Sequence, residues 1–236
     1  MDAHVPTIVA LIRRVAVVAL LVCSSASRAA ADICVEVDVR FAEPTTSSPL
    51  LLRSMTDEVE AIWKPYGVQV QSTGDVDTVS CPSIAWSFEV QVNDGVPPQS
   101  TAQPVTLGST WVRRLPVSKR SPIHLDYAAI RRLIGLLNTF QLDHTIGRRE
   151  TSASDMGRVL GRVLAHEIGH GLLGATHQRR GLMRTTIVAT ELVGHRRWGY
   201  TLSDVEIARL RERERDLGSR PAAGTVPSAV PLSCDD

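Results

Sequence analysis

From Ile33 to Phe41 the chain reads ICVEVDVRF, apolar and polar side chains taking turns. A period of two belongs to a strand with one buried face. After the EPTTSSP loop the period lengthens. Leu51, Leu52, Met55, Val59, Ile62 and Trp63 fall on one side of a helix predicted over 50–63, which Lys64-Pro65 ends. GVQVQS and IAWSFEVQVND read as two further strands, the second closing in the turn-prone Asn93-Asp94-Gly95. A loop rich in Pro, Gln and Ser follows over 96–104. VTLGSTWVRR and SPIHLDY are two more strand candidates, and 128–140 is a short helix.

The next helix opens with Ser152 and Asp155, spaced as a capping box, and carries Met156, Val159, Leu160, Val163 and Leu164 at helical spacing. Ser203 with Glu206 repeats the capping pattern before a final helix, SDVEIARLRERERDLG. Strands interleaved with helices in this order predict one α+β domain: a twisted, mixed sheet backed by helices, the 152-onward helix crossing beneath it and the last helix packing behind.

Composition changes this picture mainly at the ends. Arg13 and Arg14 precede the apolar run Val15 to Val22, and SRAAAD follows. That order describes a signal peptide over 1–31 cleaved after Ala31, so the protein is expected to be secreted or periplasmic. The run is too short to span a bilayer, which predicts no stable membrane anchor. The domain is expected over 32–217, and the Pro-, Ala-, Ser- and Gly-rich 218–236 as a disordered tail. Past the signal peptide, Cys34, Cys81 and Cys234 suggest one bridge, preferably Cys34 with Cys81, and one spare thiol; three unpaired cysteines is the alternative. A net charge of +1, with arginine pairs scattered from Arg113-Arg114 to Arg196-Arg197, lacks the clustered basic footprint of a nucleic-acid partner. A solvated surface accounts for those pairs.

The chemistry concentrates in AHEIGHGLLGATHQRRGLM, residues 165–183. His166 and His170 project from one helix face, about 40° apart, and border the apolar stripe, so they look inward. Glu167 lies roughly 100° further round, able to reach a water on an ion held by the two rings. Inward imidazoles need partners, and a zinc ion supplies several at once. Gly174 can end the helix, His177 follows three residues later, and Met183 lies six beyond in a predicted tight turn. Three nitrogens with one open position make a catalytic rather than a structural Zn²⁺ site.

The stretch resembles the metzincin class of zinc endopeptidases, whose pattern is H-E-x-x-H-x-x-G-x-x-H followed by a methionine-containing turn beneath the metal. The resemblance implies His166, His170 and His177 as ligands, Glu167 as general base and Met183 as the turn methionine. It covers residues 154–183. One departure stands out: HEIGHGLLGATH is one residue longer, with Leu173 at the glycine place and Thr176 at the third-ligand place. Similarity to thermolysin-like zinc peptidases offers Glu191, twenty-one residues after His170 in TTIVATELV, as a rival third ligand, with His195 behind it. His124 and His144 fit no ligand spacing. Tyr200 is a conceivable oxyanion donor or a packed aromatic.

The implied function is a secreted, monomeric zinc endopeptidase with a peptide or protein substrate lying along an edge strand, either LGSTWVRR or SPIHLDY. Two alternatives are an exported zinc-binding protein without hydrolysis and a zinc amidohydrolase acting on a cell-wall amide.

Overall fold

The computed structural model describes residues 33–43, 48–73, 84–94, 106–110, 120–140 and 151–218. The expected signal peptide, the 219–236 part of the tail, the 96–104 loop, His144, Cys81 and Cys234 lie outside them. Cys34 is disulfide-bonded, and every other cysteine of the chain is likewise outside the described residues. Among the described residues no helix is long and apolar enough to cross a membrane.

Among the described residues five strands form one sheet in the order β2-β1-β3-β5-β4. Strands β1 (Ile33–Phe41), β2 (Val68–Ser72), β3 (Trp86–Asn93) and β5 (Ser121–Asp126) are mutually parallel, and the three-residue β4 (Gly108–Thr110) runs antiparallel on the outer edge beside β5. The sheet is therefore mixed but mostly parallel. Of the two edge candidates from the sequence, SPIHLDY is internal, and the described Gly108–Thr110 of LGSTWVRR supplies the edge.

Register sorts the sheet into two chemically distinct faces. Val35, Val37 and Val39 stand beside Trp86, Phe88 and Val90, and Val90 and Val92 beside Ile123 and Leu125. This face is almost wholly buried. The opposite face carries Glu36, Asp38, Arg40, Ser87, Glu89 and His124, tied by Ser87 donating to Glu36 at 2.8 Å, by an Arg40–Glu89 ion pair at 3.3 Å and by Arg120 on Asp38. Period-two alternation in β1 thus states which side of the sheet holds the core.

Helices α1 (Pro49–Trp63) and α3 (Ala153–Leu173) join the apolar face in one core. They run side by side in the same direction. A Cβ on Gly157 would collide with Leu51 O, and one on Gly161 would sit 2.6 Å from Met55 O. Further along, the fully buried Trp63 donates its indole N–H to Ala165 O at 3.2 Å. Small residues at 157, 161 and 165, one turn apart, thus let two helix backbones approach. Helix α2 (Tyr127–Phe140) follows β5 directly, capped by the Asp126 carboxylate accepting from Ala129 N at 2.7 Å, and buries Ile130 and Ile134.

The buried Arg162 of α3 is the main polar joint. It donates to Glu58 at 2.7 Å and to the carbonyls of Glu191, Leu192 and Arg196 at 2.6, 2.9 and 3.3 Å. Arg197 completes Glu58 with a 2.8 Å bond. Arg197 is exposed, as a solvated surface predicts, and its guanidinium in addition pairs with the buried Glu58, because a buried carboxylate requires a charged partner. Arg131-Arg132 and Arg179-Arg180 are exposed as expected.

Within TTIVATELV only the five-residue α4 (Ala189–Val193) is helical, since Thr, Ile and Val at 185–188 favour extended backbone. Helix α5 (Asp204–Gly218) begins at the Ser203–Glu206 box: Ser203 N donates to the Glu206 carboxylate at 2.6 Å, and Glu206 N to Ser203 Oγ at 3.4 Å.

Candidate metal centre

Helix α3 starts where Ser152 Oγ accepts from Asp155 N at 3.1 Å and ends after Leu173, where Gly174 takes φ +94° and gives its N–H to His170 O. Leu173 is thus the last helical residue, followed by a glycine in a conformation other residues resist. The chain turns back and brings His177 to the other two rings. His170 stands edge-on to both His166 and His177, with ring centroids 4.7 Å away in each case; His166 and His177 are stacked at 5.6 Å. One ring nitrogen from each histidine lies within 4.8 Å of the others.

The outer ring nitrogens show which atoms are available. His166 Nδ1 is 2.7 Å from Leu182 O, and His170 Nδ1 is 3.4 Å from Gly174 O. Carbonyls only accept, so each fixes the ring proton on Nδ1 and leaves the Nε2 lone pair inward. The two Nε2 atoms then face each other at 3.1 Å. Two Zn–N bonds of the usual length at a tetrahedral angle put nitrogens about 3.3 Å apart. Neutral, inward-facing Nε2 atoms with carbonyl-anchored Nδ1 protons are what a zinc site requires, so the residues fit the ion. Burial pushes both imidazoles down, His170 to about 4 with His166 adding repulsion, and His166 despite the opposing Leu182 carbonyl. His177 is exposed, so the cluster opens to solvent on that side.

Met183 lies fully buried against α3, its sulfur filling the space a Cβ on Gly169 would take. The turn that delivers it uses Gly181 at φ +84° and is pinned by Leu182 N donating to Thr201 O and Gln178 N to Met183 O, both at 2.8 Å. The same turn supplies the carbonyl that orients His166. Met183 therefore packs against the helix that carries His166 and His170.

Glu167 extends toward β4. Its carboxylate accepts from Thr110 Oγ1 at 2.6 Å, and burial raises its carboxyl above the ordinary range while the Thr110 bond opposes the rise. Thr110, with Gly108 beside it, is a site residue that composition and spacing did not single out. The only trace in the sequence is that 108 and 110 share a strand face.

The rival ligands are engaged or distant. Glu191 pairs with Arg184 at 2.5 Å, which accounts for its charge without a metal. His195 is exposed and is not among the clustered residues. His124 sits on the polar sheet face, opposite Ser109 of β4 and away from the helices. Tyr200 is packed: only 3% exposed, with the guanidinium carbons of Arg162 and Arg184 4.8 and 5.6 Å from its ring, and its phenol pushed up to about 12 by burial.

The fold and the site together define a mixed α/β domain with three histidines set to hold a metal and a carboxylate held beside them. No family model and no curated protein matches the chain. Among solved structures it is similar to archaemetzincin from Methanopyrus kandleri, with a TM-score of 0.43 and 12% identity over 80% of this chain and 99% of that one. A likeness at that level carries no functional argument, so the chemistry rests on the site's own atoms.

Proposed function

We propose that the protein is an exported zinc-dependent endopeptidase, with His166, His170 and His177 as ligands and Glu167 as general base. One observation carries the reading: three imidazoles converge within 4.8 Å while the adjacent carboxylate is kept out of the cluster. A purely structural site would have no use for that separate carboxylate. Zinc, when bound, supplies Lewis acidity, easing deprotonation of water and drawing electron density from a substrate carbonyl.

The chain's own residues do the rest. Carbonyls of Leu182 and Gly174 hold the ligand rings in the binding tautomer. Glu167 takes the proton of the attacking water and passes it to the leaving amine; a carboxyl raised by burial is better matched to that exchange. The outer side of β4 is free of sheet pairing among the described residues, so an extended peptide can add there as a sixth strand next to Glu167. Export follows from the signal-peptide pattern, and mass spectrometry of secreted material should find a chain beginning at Asp32.

The test is Glu167→Gln. Zinc should remain stoichiometric while cleavage of fluorescein-casein falls roughly 10²–10⁴-fold. Phenanthroline should abolish wild-type cleavage, and added Zn²⁺ should restore it. Undiminished cleavage by the glutamine variant would sink the assignment. Stoichiometric zinc without turnover would favour a binding protein, and turnover of cell-wall amides alone would favour an amidohydrolase.

A further inference from the structure

We infer that the edge strand β4 is the holder of the general base, with Thr110 its positioning residue and Gly108 the space that admits it. The inference rests on Glu167 acting as proposed above. Thr110 Oγ1 lies 2.6 Å from Glu167 Oε2 and 3.2 Å from the main-chain carbonyl of the same residue. The hydroxyl's one proton goes to the carboxylate, the shorter contact, while the oxygen stays close to the backbone of the same residue, which fixes the side chain relative to its own helix. Both contacts cross from the sheet to α3, 57 residues apart in sequence.

Gly108 supplies the complementary half. A Cβ there would sit 2.9 Å from Glu167 Oε1, 3.1 Å from Glu167 Cγ and 2.8 Å from Val163 Cγ1. Any side chain would displace the carboxylate or the core valine beneath it. Pairing of Gly108 with Leu125 and Thr110 with Ile123 places both residues on the helix side of the sheet, whereas Ser109 faces away beside His124. A strand of three residues thus spends its two inward positions on one carboxylate, and its outward edge is where a peptide would add. The strand that aligns the substrate also aims the base, which couples their positions.

An error of about 1 Å in such a group can cost on the order of 100-fold in rate. The decisive variant is Thr110→Val, which keeps size and β-branching but loses the hydroxyl. With a fluorogenic peptide selected from a random library, kcat should fall about 10- to 100-fold while KM and zinc affinity change less than about threefold. Thr110→Ser should recover most of kcat. A crystal structure of the zinc-loaded valine variant should show the Glu167 carboxylate swung away from β4, a readout that needs no turnover. An unmoved carboxylate, a kcat within twofold of wild type, or a parallel loss of zinc affinity would overturn the positioning role. If Glu167→Gln itself retained full activity, the underlying reading would fail instead, so the two failures are distinguishable.

Discussion

Met183 occupies the space that a β-carbon on Gly169 would need, so the turn carrying it touches the helix that bears His166 and His170 through the one residue type lacking that atom. Both partners sit in the core, and Met183 is fully buried. Gly169→Ala should force the methionine aside and cost about 1–3 kcal/mol through overpacking, although alanine is the better helix former. Gly135 in α2 is the control: open space surrounds a Cβ there, and Gly135→Ala should stabilise by about 0.5–1 kcal/mol. Urea unfolding of the two variants should give opposite signs. Two shifts of the same sign would mean that helix propensity, not the methionine contact, decides.

Arg162 is buried and joins α3 to Glu58 and to three carbonyls of the 191–196 segment. Arg162→Met should cost about 3–5 kcal/mol, because Glu58 loses its buried partner. The double variant Arg162→Met, Glu58→Leu should recover part of that loss by removing the stranded charge, to the extent that the three carbonyls tolerate it. A double variant less stable than the single one by chemical denaturation would show that Arg197, 2.8 Å from Glu58, compensates the carboxylate on its own and that no charge is stranded.

Much of this architecture is legible along the chain, for reasons that differ by element. Alternation in β1 and the stripe Met156, Val159, Leu160, Val163 report burial directly, because a residue's side of a strand or helix follows from its index. The capping boxes at Ser152 and Ser203 are equally local. The His166–His170 pair is legible because one helical turn brings residues four apart together. His177 is harder, since its approach depends on Gly174 adopting φ +94°. Thr110 and Arg162 are not legible at all: their partners lie 57 and 104 residues away in sequence, and no period encodes contacts made by packing a sheet on a helix.

His177 and Glu191 compete on paper for one coordination position, and the geometry separates them. His177 should matter to metal and Glu191 to stability. His177→Ala should weaken zinc binding by at least about 100-fold, since even partners one step removed from a metal are worth 10- to 100-fold. Glu191→Gln should leave zinc affinity within about threefold, while releasing Arg184 from its 2.5 Å ion pair and lowering the unfolding midpoint. Competition against a fluorescent zinc chelator measures the first effect and urea unfolding the second. Exchange of the two outcomes would make Glu191 the third ligand.

The pH dependence of the metal-free protein follows from the direction of its shifts. His170 is pushed down to about 4, chiefly by burial, and His166 is lowered for the same reason. An unfolded histidine titrates near 6.5. Between the two values the unfolded chain binds more protons than the folded one, so stability is complete above about 6.5 and is lost as pH falls toward 4. Glu167 acts in the opposite sense: its raised carboxyl favours the folded state at low pH and gives that advantage up as pH rises through its window. Removing this opposing group should therefore steepen the histidine limb. Urea unfolding of the apoprotein between pH 4 and 7 should show stability rising with pH, more steeply in Glu167→Gln and less steeply in His170→Asn. A single-residue NMR titration should place the His170 midpoint near 4, and a midpoint at 6.5 would mean that its ring is solvated rather than packed for metal.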